Sequence, residues 1–553
     1  MSAATTLTSG GTTVGQPAAP DRDGTETRKP WMISAAADCF LILLTPLIAA
    51  PAVLLLSSEQ VGVKAATISL IVAAFFALGH HLPGLLRAYG DRELFQRFKW
   101  RFILAPPLIL LAYFPLYDFH FDLYRLIILV WATWHGLMQV YGFVRIYDAR
   151  FGSTSRATAN WDWMLCLCGF VTPRLWKPEQ VSHTLDHWYA AGGPFISQAT
   201  LNLIRSVALA ACVVVILGYT INYIVQLYRG PRPNPLKLVM LASGIGTWWF
   251  AMCFVDELIL GIALFDICHD VQYNAIVWTY NRRLASLSSS LSGFMKFLFR
   301  RGAVILYVGL ITAYGALGLV APLVADGTVS RFFYGLIFTS TILHYYYDGF
   351  IWKVRDKTNQ LNLGLRQSSS LQTTALNAVG TYAHALKWSP AIVILGLLFA
   401  SDAVDPPLTT EQKQKIEHSY ANTLVGKPTL PSKKDELSWL YTRFEAAQAI
   451  ADTVPEDPGA QLKAAVLLAN FGRNDEAVDR LESILRQSPD YRDAHVALGD
   501  IHFYRGNLEQ AAEHYGFAMS QSANDMERSA MQRKLGEIEL SRQDFAAAKN
   551  KTQ

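Results

Sequence analysis

An apolar run with polar residues at its centre occupies positions 258–279 and reads LILGIALFDICHDVQYNAIVWT. A helix of this length, at about 1.5 Å per residue, crosses the roughly 30 Å hydrocarbon layer of a bilayer. Within the run, Asp266, His269 and Tyr273 stand at positions i, i+3 and i+7, so they share one helix face. Because ionisable side chains are costly inside a membrane, this face predicts a functional site on a membrane-spanning helix.

The composition of the whole chain also indicates a membrane protein. Of its 553 residues, 52% are hydrophobic and only 17% are charged, against roughly 25% charged in soluble proteins. An aromatic content of 12% argues against a disordered chain, and a net charge of +4 gives no basis for nucleic-acid binding. The six cysteines lie in or beside apolar runs, so we expect neither a disulfide framework nor a cysteine zinc site.

Eleven apolar segments predict an all-α fold, in which residues 31–402 form a polytopic bundle of about eleven transmembrane helices. The segments are 33–57, 65–86, 102–118, 123–145, 160–173, 203–228, 236–255, 258–279, 303–325, 331–352 and 385–401. Residues 1–30 are rich in Ser, Thr, Gly, Ala and Pro and are expected to form a disordered tail. Residues 403–437 are expected to link the bundle to a charge-rich C-terminal domain at 438–553.

Lysine and arginine are concentrated in alternate loops. They are dense in the N-terminal tail and after segments two, four, six, eight and ten, where Arg145 and Lys237 are examples. Because positive residues stay on the cytoplasmic side, this alternation predicts a multi-pass protein of a bacterial inner membrane with a cytoplasmic N-terminus. Eleven crossings would place the C-terminal domain outside, and ten or twelve would place it in the cytoplasm, so its side stays open.

The C-terminal domain carries an internal repeat. Residues 472–477, GRNDEA, align with residues 506–511, GNLEQA, at an offset of 34 positions, which is the length of a helix-turn-helix repeat unit. Gly499 and Tyr515 belong to a pattern of small and large residues that suits paired helices. These residues resemble tetratricopeptide repeats over roughly 440–550. The resemblance implies an α-solenoid with a concave surface that binds a protein partner.

Segments two, four, eight and ten each combine histidine with an oxygen-bearing neighbour. They run in the same direction and place these groups at a similar depth, so we expect the groups to converge in the bundle core. Imidazole with carboxylate is a ligand set for iron, and also for zinc or manganese. The predicted ligands of one or two metal ions are His80, His81, His135, His269, Asp270, His344 and Asp348. The predicted catalytic residues are His135, Tyr273 and Gln139, with Asp266 as a further candidate.

Other interpretations of these histidines stay open. They could form hydrogen bonds between helices, or they could line a proton or ion pathway. His183 and His187 also have a spacing that suits a metal. Their stretch is polar and falls on the other side of the membrane in this topology, so we expect an interfacial helix there.

The histidine sets resemble those of membrane non-haem iron oxygenases, a class that includes alkane hydroxylases, fatty-acid desaturases and bacterial carotene-cleaving dioxygenases. The resemblance rests on histidines near the cytoplasmic side of a polytopic protein. It implies iron held by histidine, activation of O2, and a lipid-like or isoprenoid substrate that enters from the bilayer. Desaturases and alkane hydroxylases carry several HxxH boxes, and here only His80-His81 and the His183/His187 pair come near that pattern.

Two further hypotheses concern the same bundle. Trp134-His135-Gly136 resembles an element of membrane-bound O-acyltransferases, which implies that His135 is a general base. A non-enzymatic membrane scaffold would instead use its repeats to recruit a partner and its histidines to join helices. We therefore predict a membrane oxygenase or hydroxylase with a partner-binding repeat domain, and keep the scaffold and the acyltransferase as alternatives.

Overall fold

The protein is built from helices in its computed structural model. Helix makes up 85% of the structure, and the described residues contain no strand, which confirms the all-α prediction for this part of the chain. The structure describes residues 30–352 and 434–552, except positions 59, 119–122, 154, 230–231, 289, 301 and 523–524, and also residues 359, 362–363, 389, 392–398 and 400. Nearly all of the expected tail at 1–30 and most of the expected linker at 403–437 lie outside these residues.

The membrane part follows a long series of helices. It begins with α1 Ala35–Asp38, a π-helical segment Cys39–Leu43, α2 Thr45–Ser57, α3 Ala65–Val72, a second π-helical segment Ala73–Leu78, α4 His81–Gly90, α5 Arg92–Arg97, α6 Lys99–Asp118, α7 Leu123–Arg150, α8 Arg156–Trp176, α9 Pro178–Ala190 and α10 Gln198–Arg229. It continues with α11 Leu236–Trp249, a third π-helical segment Phe250–Phe254, α12 Leu258–Leu287, α13 Gly293–Leu298, α14 Val304–Ala316, a 3-10 turn Leu317–Leu319, α15 Val320–Leu323 and α16 Gly327–Ile351. Residues 392–398 are also helical.

Several of these helices are long and apolar enough to cross a membrane. The described residues contain five such spans: Ala65–Gly90, Leu123–Arg150, Gln198–Arg229, Leu236–Phe254 and Val304–Leu323. The pair Ala35–Leu43 and Thr45–Ser57, bent by 43°, makes a sixth if it forms one broken span. The chain is therefore a membrane protein, as its composition predicts.

The number of crossings is not settled by these spans. Helices α6, α8, α12 and α16 coincide with the expected segments three, five, eight and ten, but they are not among the five. The predicted site residues themselves make α12 more polar, since it carries two aspartates and a histidine at its centre. The expected eleventh segment falls only partly within the described residues. Eleven crossings therefore stay a prediction.

Close helix packing fixes the segment that precedes His80. A Cβ atom on Gly315 of α14 would lie 2.4 Å from the carbonyl oxygen of Ala74, and one on Gly79 would lie 3.0 Å from the side chain of Ile311. Small residues at helix contacts are typical of membrane proteins, because they let two backbones approach. These glycines therefore hold α14 against the π-helical segment Ala73–Leu78.

The C-terminal part is a series of helical hairpins. Its helices are α17 Lys434–Thr453, α18 Pro458–Asn470, α19 Asn474–Gln487, α20 Arg492–Tyr504, α21 Leu508–Ser520 and α22 Asp525–Thr552. Helix α17 thus begins four residues before the expected domain start at 438. A Cβ atom on Gly499 of α20 would lie 2.5 Å from the ring of Tyr515 on α21, so this glycine allows the two helices to pack closely.

The 34-residue offset of the sequence reappears in the turns between these helices. Gly472 and Gly506 both adopt a left-handed backbone, with φ of +74° and +78°, a conformation that glycine adopts without strain. The residue after each glycine donates its N–H to a carbonyl five residues back, at 2.9 Å in both turns. The two hairpins therefore share one turn geometry, while the assignment to tetratricopeptide repeats stays a prediction.

Candidate metal centre

Four histidines from four parts of the chain meet inside the bundle. His80 lies at the break between the π-helical segment Ala73–Leu78 and α4, whereas His135, His269 and His344 come from α7, α12 and α16. One ring nitrogen of each histidine lies within 4.8 Å of one ring nitrogen of every other. Four imidazoles at this spacing could hold a metal ion in the core of a helix bundle.

His80 presents a lone pair to this four-histidine cluster. Its Nδ1 lies 2.8 Å from Asp270 Oδ1 and 3.2 Å from the carbonyl oxygen of Phe76, and both oxygens are acceptors. In the neutral ring, Nδ1 therefore carries the hydrogen and Nε2 keeps the lone pair. A carboxylate behind a histidine is the usual arrangement at a metal site, because it orients the ring and makes it a more basic ligand.

The ring nitrogens also have the spacing of neighbouring metal ligands. His344 Nε2 lies 2.9 Å from His80 Nε2 and 3.0 Å from His135 Nε2. Metal–nitrogen bonds of about 2.1 Å place two ligand atoms about 3 Å apart at a right angle and about 3.4 Å apart at a tetrahedral angle. In a neutral ring, His344 Nε2 has either one hydrogen or one lone pair, so it cannot satisfy both contacts by hydrogen bonding alone. The donor set therefore fits a shared cation.

Asp348 stands at the edge of the cluster. Its Oδ2 lies 3.7 Å from His344 Nε2, which is longer than the distances from Asp348 to its other polar partners. Its Oδ1 accepts hydrogen bonds from Tyr273 Oη at 3.1 Å and from Trp352 Nε1 at 2.9 Å. These bonds tie the carboxylate to α12 as well as to α16. Asp348 and Tyr273 thus form a pair that could hold or transfer a proton beside the histidines.

His81 takes a different partner from His80. Its Nδ1 lies 3.0 Å from Ser340 Oγ, and this hydroxyl lies 2.7 Å from Tyr314 Oη. The His81 ring stacks on His344 at 4.6 Å with an interplanar angle of 20°. His81 therefore lies against the cluster but is not one of the four residues whose nitrogens converge.

The remaining predicted residues support the cluster from α7 and α12. Gln139 Nε2 donates to the backbone oxygen of His269 at 2.8 Å, which ties α7 to α12. The neighbouring Gln272 donates to the backbone oxygen of Ile42 at 2.8 Å and so links α12 to the π-helical segment Cys39–Leu43. Asp266 is half-buried one turn before Asp270. Gln139 thus bonds the backbone of a candidate ligand.

The cluster is most accessible on the side of His135. His135 is half-buried, whereas His80, His269 and His344 are buried. The Tyr345 ring lies 4.8 Å from that of His135, and the Trp131 ring lies 6.1 Å from that of Tyr345. Both aromatic residues are half-buried. An aromatic wall between α7 and α16 therefore flanks the most open approach to the histidines.

Sequence reasoning missed several residues that complete this region. Ser340 and Trp352 bond to His81 and Asp348, and Tyr345 packs on His135. Ser340 lies one helical turn before His344, just as Asp348 lies one turn after it. The i−4 spacing from His344 was therefore the sequence signal that could have identified Ser340, just as the i+4 spacing identified Asp348.

A buried ion-pair cluster was missed as well. Lys237 Nζ lies 2.7 Å from Asp148 Oδ2 and 2.8 Å from Asp162 Oδ1, and all three side chains are 0% exposed. Arg145 Nη1 lies 2.7 Å from Asp162 Oδ2. From the sequence, Arg145 and Lys237 were expected only to mark the cytoplasmic side. The structure shows that they join α7, α8 and α11 through a cluster of two cations and two carboxylates.

His183 and His187 lie apart from the four-histidine cluster on α9. Their rings are 4.5 Å apart. The converging group in the described residues contains neither of them. Helix α9 has 13 residues and is not among the candidate membrane spans, and the interfacial helix stays a prediction.

Comparisons with known proteins give this chain no relative from which a function could be transferred. No family model matches it, and no similar curated protein or solved structure was found.

Proposed function

We propose that this protein is an integral-membrane metalloenzyme that holds one iron ion at His80, His135, His269 and His344 and oxidises a lipid-like or isoprenoid substrate with O2. The observation that carries the proposal is the convergence of four ring nitrogens within 4.8 Å in the bundle. Such a small nitrogen-only group favours a single ion over two. Imidazole also binds zinc and other transition metals, so the metal's identity is a separate part of the test.

The residues around the cluster support a role in oxidation of an apolar substrate. The metal would activate O2, a reaction for which side chains alone are poorly suited. Asp270 orients His80, and Gln139 fixes the backbone of His269. Tyr345 and Trp131 offer aromatic surface beside His135, where a hydrophobic molecule could bind. Asp348 and Tyr273 could hold or transfer a proton beside His344.

The products distinguish two kinds of oxidation. Cleavage of a carbon–carbon double bond consumes one O2 and places one oxygen atom in each product, so it needs no further reductant. Hydroxylation places one oxygen atom in the product and the other in water, so it needs two electrons from a separate donor. Incubation with an isoprenoid and labelled O2, with and without a reductant, therefore identifies which reaction this site performs.

Elemental analysis of the full chain purified in detergent tests the metal centre. We expect about one iron per chain. The variants His135→Ala and His344→Ala should lose it, whereas His183→Ala, a matched change on α9, should retain it. The absence of metal from every preparation would overturn the proposal. Zinc or manganese at the same stoichiometry would support a metal centre at these histidines but would overturn its assignment as an iron oxygenase.

The C-terminal hairpins support a second part of the proposal, the recruitment of a protein partner by a tetratricopeptide-like surface. The shared turn geometry at Gly472 and Gly506 favours this class. A scaffold without catalysis is the main alternative. It should tolerate alanine at all four histidines and fail when residues 440–553 are removed. An acyltransferase should lose activity on His135→Ala without depending on a metal.

A further inference from the structure

We infer that the C-terminal helices α17–α22 lie on the membrane face opposite the N-terminal segment at Pro30, so that the chain crosses the bilayer an odd number of times. This inference is independent of the metal centre. It rests on which ends of the membrane helices contact each other, and on the helix against which the C-terminal hairpins pack.

The face that carries Pro30 is marked by several loops. Asn234, in the connection between α10 and α11, donates its Nδ2 to the backbone oxygen of Pro30 at 2.7 Å. Arg150, at the end of α7, donates to the backbone oxygen of Leu363 at 2.7 Å. The side chains of Met32, Arg150 and Leu363 also line one common cavity. Residues 30, 234 and 363 therefore lie on the same face, which we call the Pro30 face.

Helix α9 lies on the other face. Helix α8 runs from Arg156, six residues after the end of α7, to Trp176, just before α9. Its length, at about 1.5 Å per residue, carries the chain roughly 30 Å away from the Pro30 face. Two hydrogen bonds join this region to the π-helical segment Phe250–Phe254, which follows α11: Lys177 Nζ donates to the backbone oxygen of Cys253 at 3.2 Å, and Gln180 Nε2 donates to that of Met252 at 3.3 Å. We call this second surface the α9 face.

The C-terminal hairpins are docked on the α9 face. One buried apolar cluster contains Val181, Leu185, Tyr189 and Leu201 from the α9 region and Ala446, Ile450, Val454 and Ala460 from α17 and α18. Polar contacts surround it: Thr453 Oγ1 donates to the backbone oxygen of Ile196 at 2.6 Å, and Lys463 Nζ lies 2.8 Å from Asp186 Oδ1. A buried apolar contact with a polar rim is typical of a stable interface.

The end of the membrane part agrees with this placement. Leu398 packs in a cluster with Leu123, Leu126 and Ala191. Leu123 begins α7, whose other end contacts Leu363, and Ala191 directly follows α9. Leu363 therefore lies on the Pro30 face and Leu398 on the α9 face. The positions of these two residues imply an odd number of crossings between them, in agreement with the one crossing that the sequence predicts at 385–401.

The positive residues predict that the Pro30 face is cytoplasmic. A partner of the C-terminal hairpins would then be a protein or peptide segment exposed on the extracytoplasmic side. This assignment of sides is tested separately from the relative placement.

Cysteine labelling with a membrane-impermeant maleimide tests the relative placement. In the full chain, Gln510→Cys on α21 is the query. Gln60→Cys in the α2–α3 turn marks the α9 face, because Ser69 of α3 donates to the backbone oxygen of Ile259 at the start of α12, just after the segment Phe250–Phe254. Glu93→Cys on α5 marks the Pro30 face, because Arg92 donates its backbone N–H to the backbone oxygen of Ser290 beyond the other end of α12, where Arg283 lines the same cavity as Met32. All three positions are exposed. We expect Gln510→Cys to label from the same side of sealed vesicles as Gln60→Cys and from the opposite side to Glu93→Cys. Labelling together with Glu93→Cys overturns the inference.

A second measurement leaves the six native cysteines untouched. Alkaline phosphatase is active only outside the cytoplasm, and green fluorescent protein exported in unfolded form fluoresces only inside. Each reporter is fused in turn to the N-terminus and to the C-terminus of the full chain. We expect green fluorescence at the N-terminus and phosphatase activity at the C-terminus. Both termini on one side would overturn the odd number of crossings, and a reversed pattern would overturn only the assignment of the cytoplasmic face.

Discussion

His80 Nε2 lies 2.9 Å from His344 Nε2, although the two residues are 264 positions apart in the chain. His80 keeps its lone pair for this contact because its Nδ1 faces Asp270 and the Phe76 carbonyl. Two imidazole nitrogens at this distance within a membrane bundle are joined either by one hydrogen or by one cation.

Asp270→Asn should weaken metal binding without removing a ligand. The change removes the carboxylate charge behind His80, and loss of such an outer partner typically lowers metal affinity by roughly 10- to 100-fold. Competition with a coloured chelator measures the affinity. Asp256→Asn is a matched control, because Asp256 is exposed near the start of α12. Equal affinities of the two variants would show that Asp270 does not act on the metal.

Lys237→Met should destabilise the membrane bundle strongly. It leaves Asp148 and Asp162 buried with a single cation, Arg145, and removal of one partner from a buried ion pair costs about 3–5 kcal/mol. Thermal unfolding in detergent measures the effect. Lys296→Met, at an exposed position of α13, should change stability little. A Lys237→Met protein as stable as the parent would mean that the buried carboxylates take up protons at little cost.

Gly499→Ala should destabilise the C-terminal hairpins, because the new methyl group would lie 2.5 Å from the Tyr515 ring. Overpacking of this kind costs about 1–3 kcal/mol. Gly516→Ala is the control, since a Cβ there meets open space among the described residues, and alanine favours a helix by about 0.5–1 kcal/mol over glycine. Limited proteolysis should therefore cut the first variant faster than the parent and the second no faster. Equal cleavage of both would contradict this account of the hairpin.

Mild acid should weaken the region around α9. Burial, with smaller effects from His187 and Arg174, lowers the pKa of His183 from 6.5 to about 4. The unfolded chain therefore binds more protons between these two values, so stability is complete above pH 6.5 and falls as the pH drops towards 4. The thermal midpoint should fall less between pH 7 and pH 5 in His183→Gln than in the parent. Parallel losses in the two proteins would assign the acid sensitivity to other groups.

The helices that carry the cluster could be identified from the sequence, but its geometry could not. Histidines in segments of the same direction, at similar depth, pointed to His80, His135, His269 and His344. The choice between His80 and His81 depends on the break at Gly79, where a π-helical segment ends and α4 begins, and a regular 3.6-residue period does not describe that junction. The position of Asp270 behind His80 depends on contact between α12 and this break, which no local pattern records.

The pairing of polar side chains that are distant in the sequence also could not be predicted. Lys237 and Arg145 read as cytoplasmic markers because each stands near the end of an apolar segment. Their carboxylate partners, Asp148 and Asp162, lie on α7 and α8, and only tertiary packing brings α11 to them. By contrast, the turns at Gly472 and Gly506 were predictable. The repeat at an offset of 34 residues is visible in the sequence, and each glycine satisfies a local backbone requirement.

The π-helical segment Ala73–Leu78 gives the bundle an uneven tolerance of changes in chain length. A π-helical turn corresponds to an α-helical turn with one extra residue. Deletion of one residue there can restore a regular helix while α3 and His80 keep their present positions. The same deletion within the regular helix α12, just before His269, would rotate the rest of that helix by about 100° and turn its histidine away from the other three. Single-residue deletions in descendants of this gene should therefore be tolerated in the segment Ala73–Leu78 and be purged from α12 before His269.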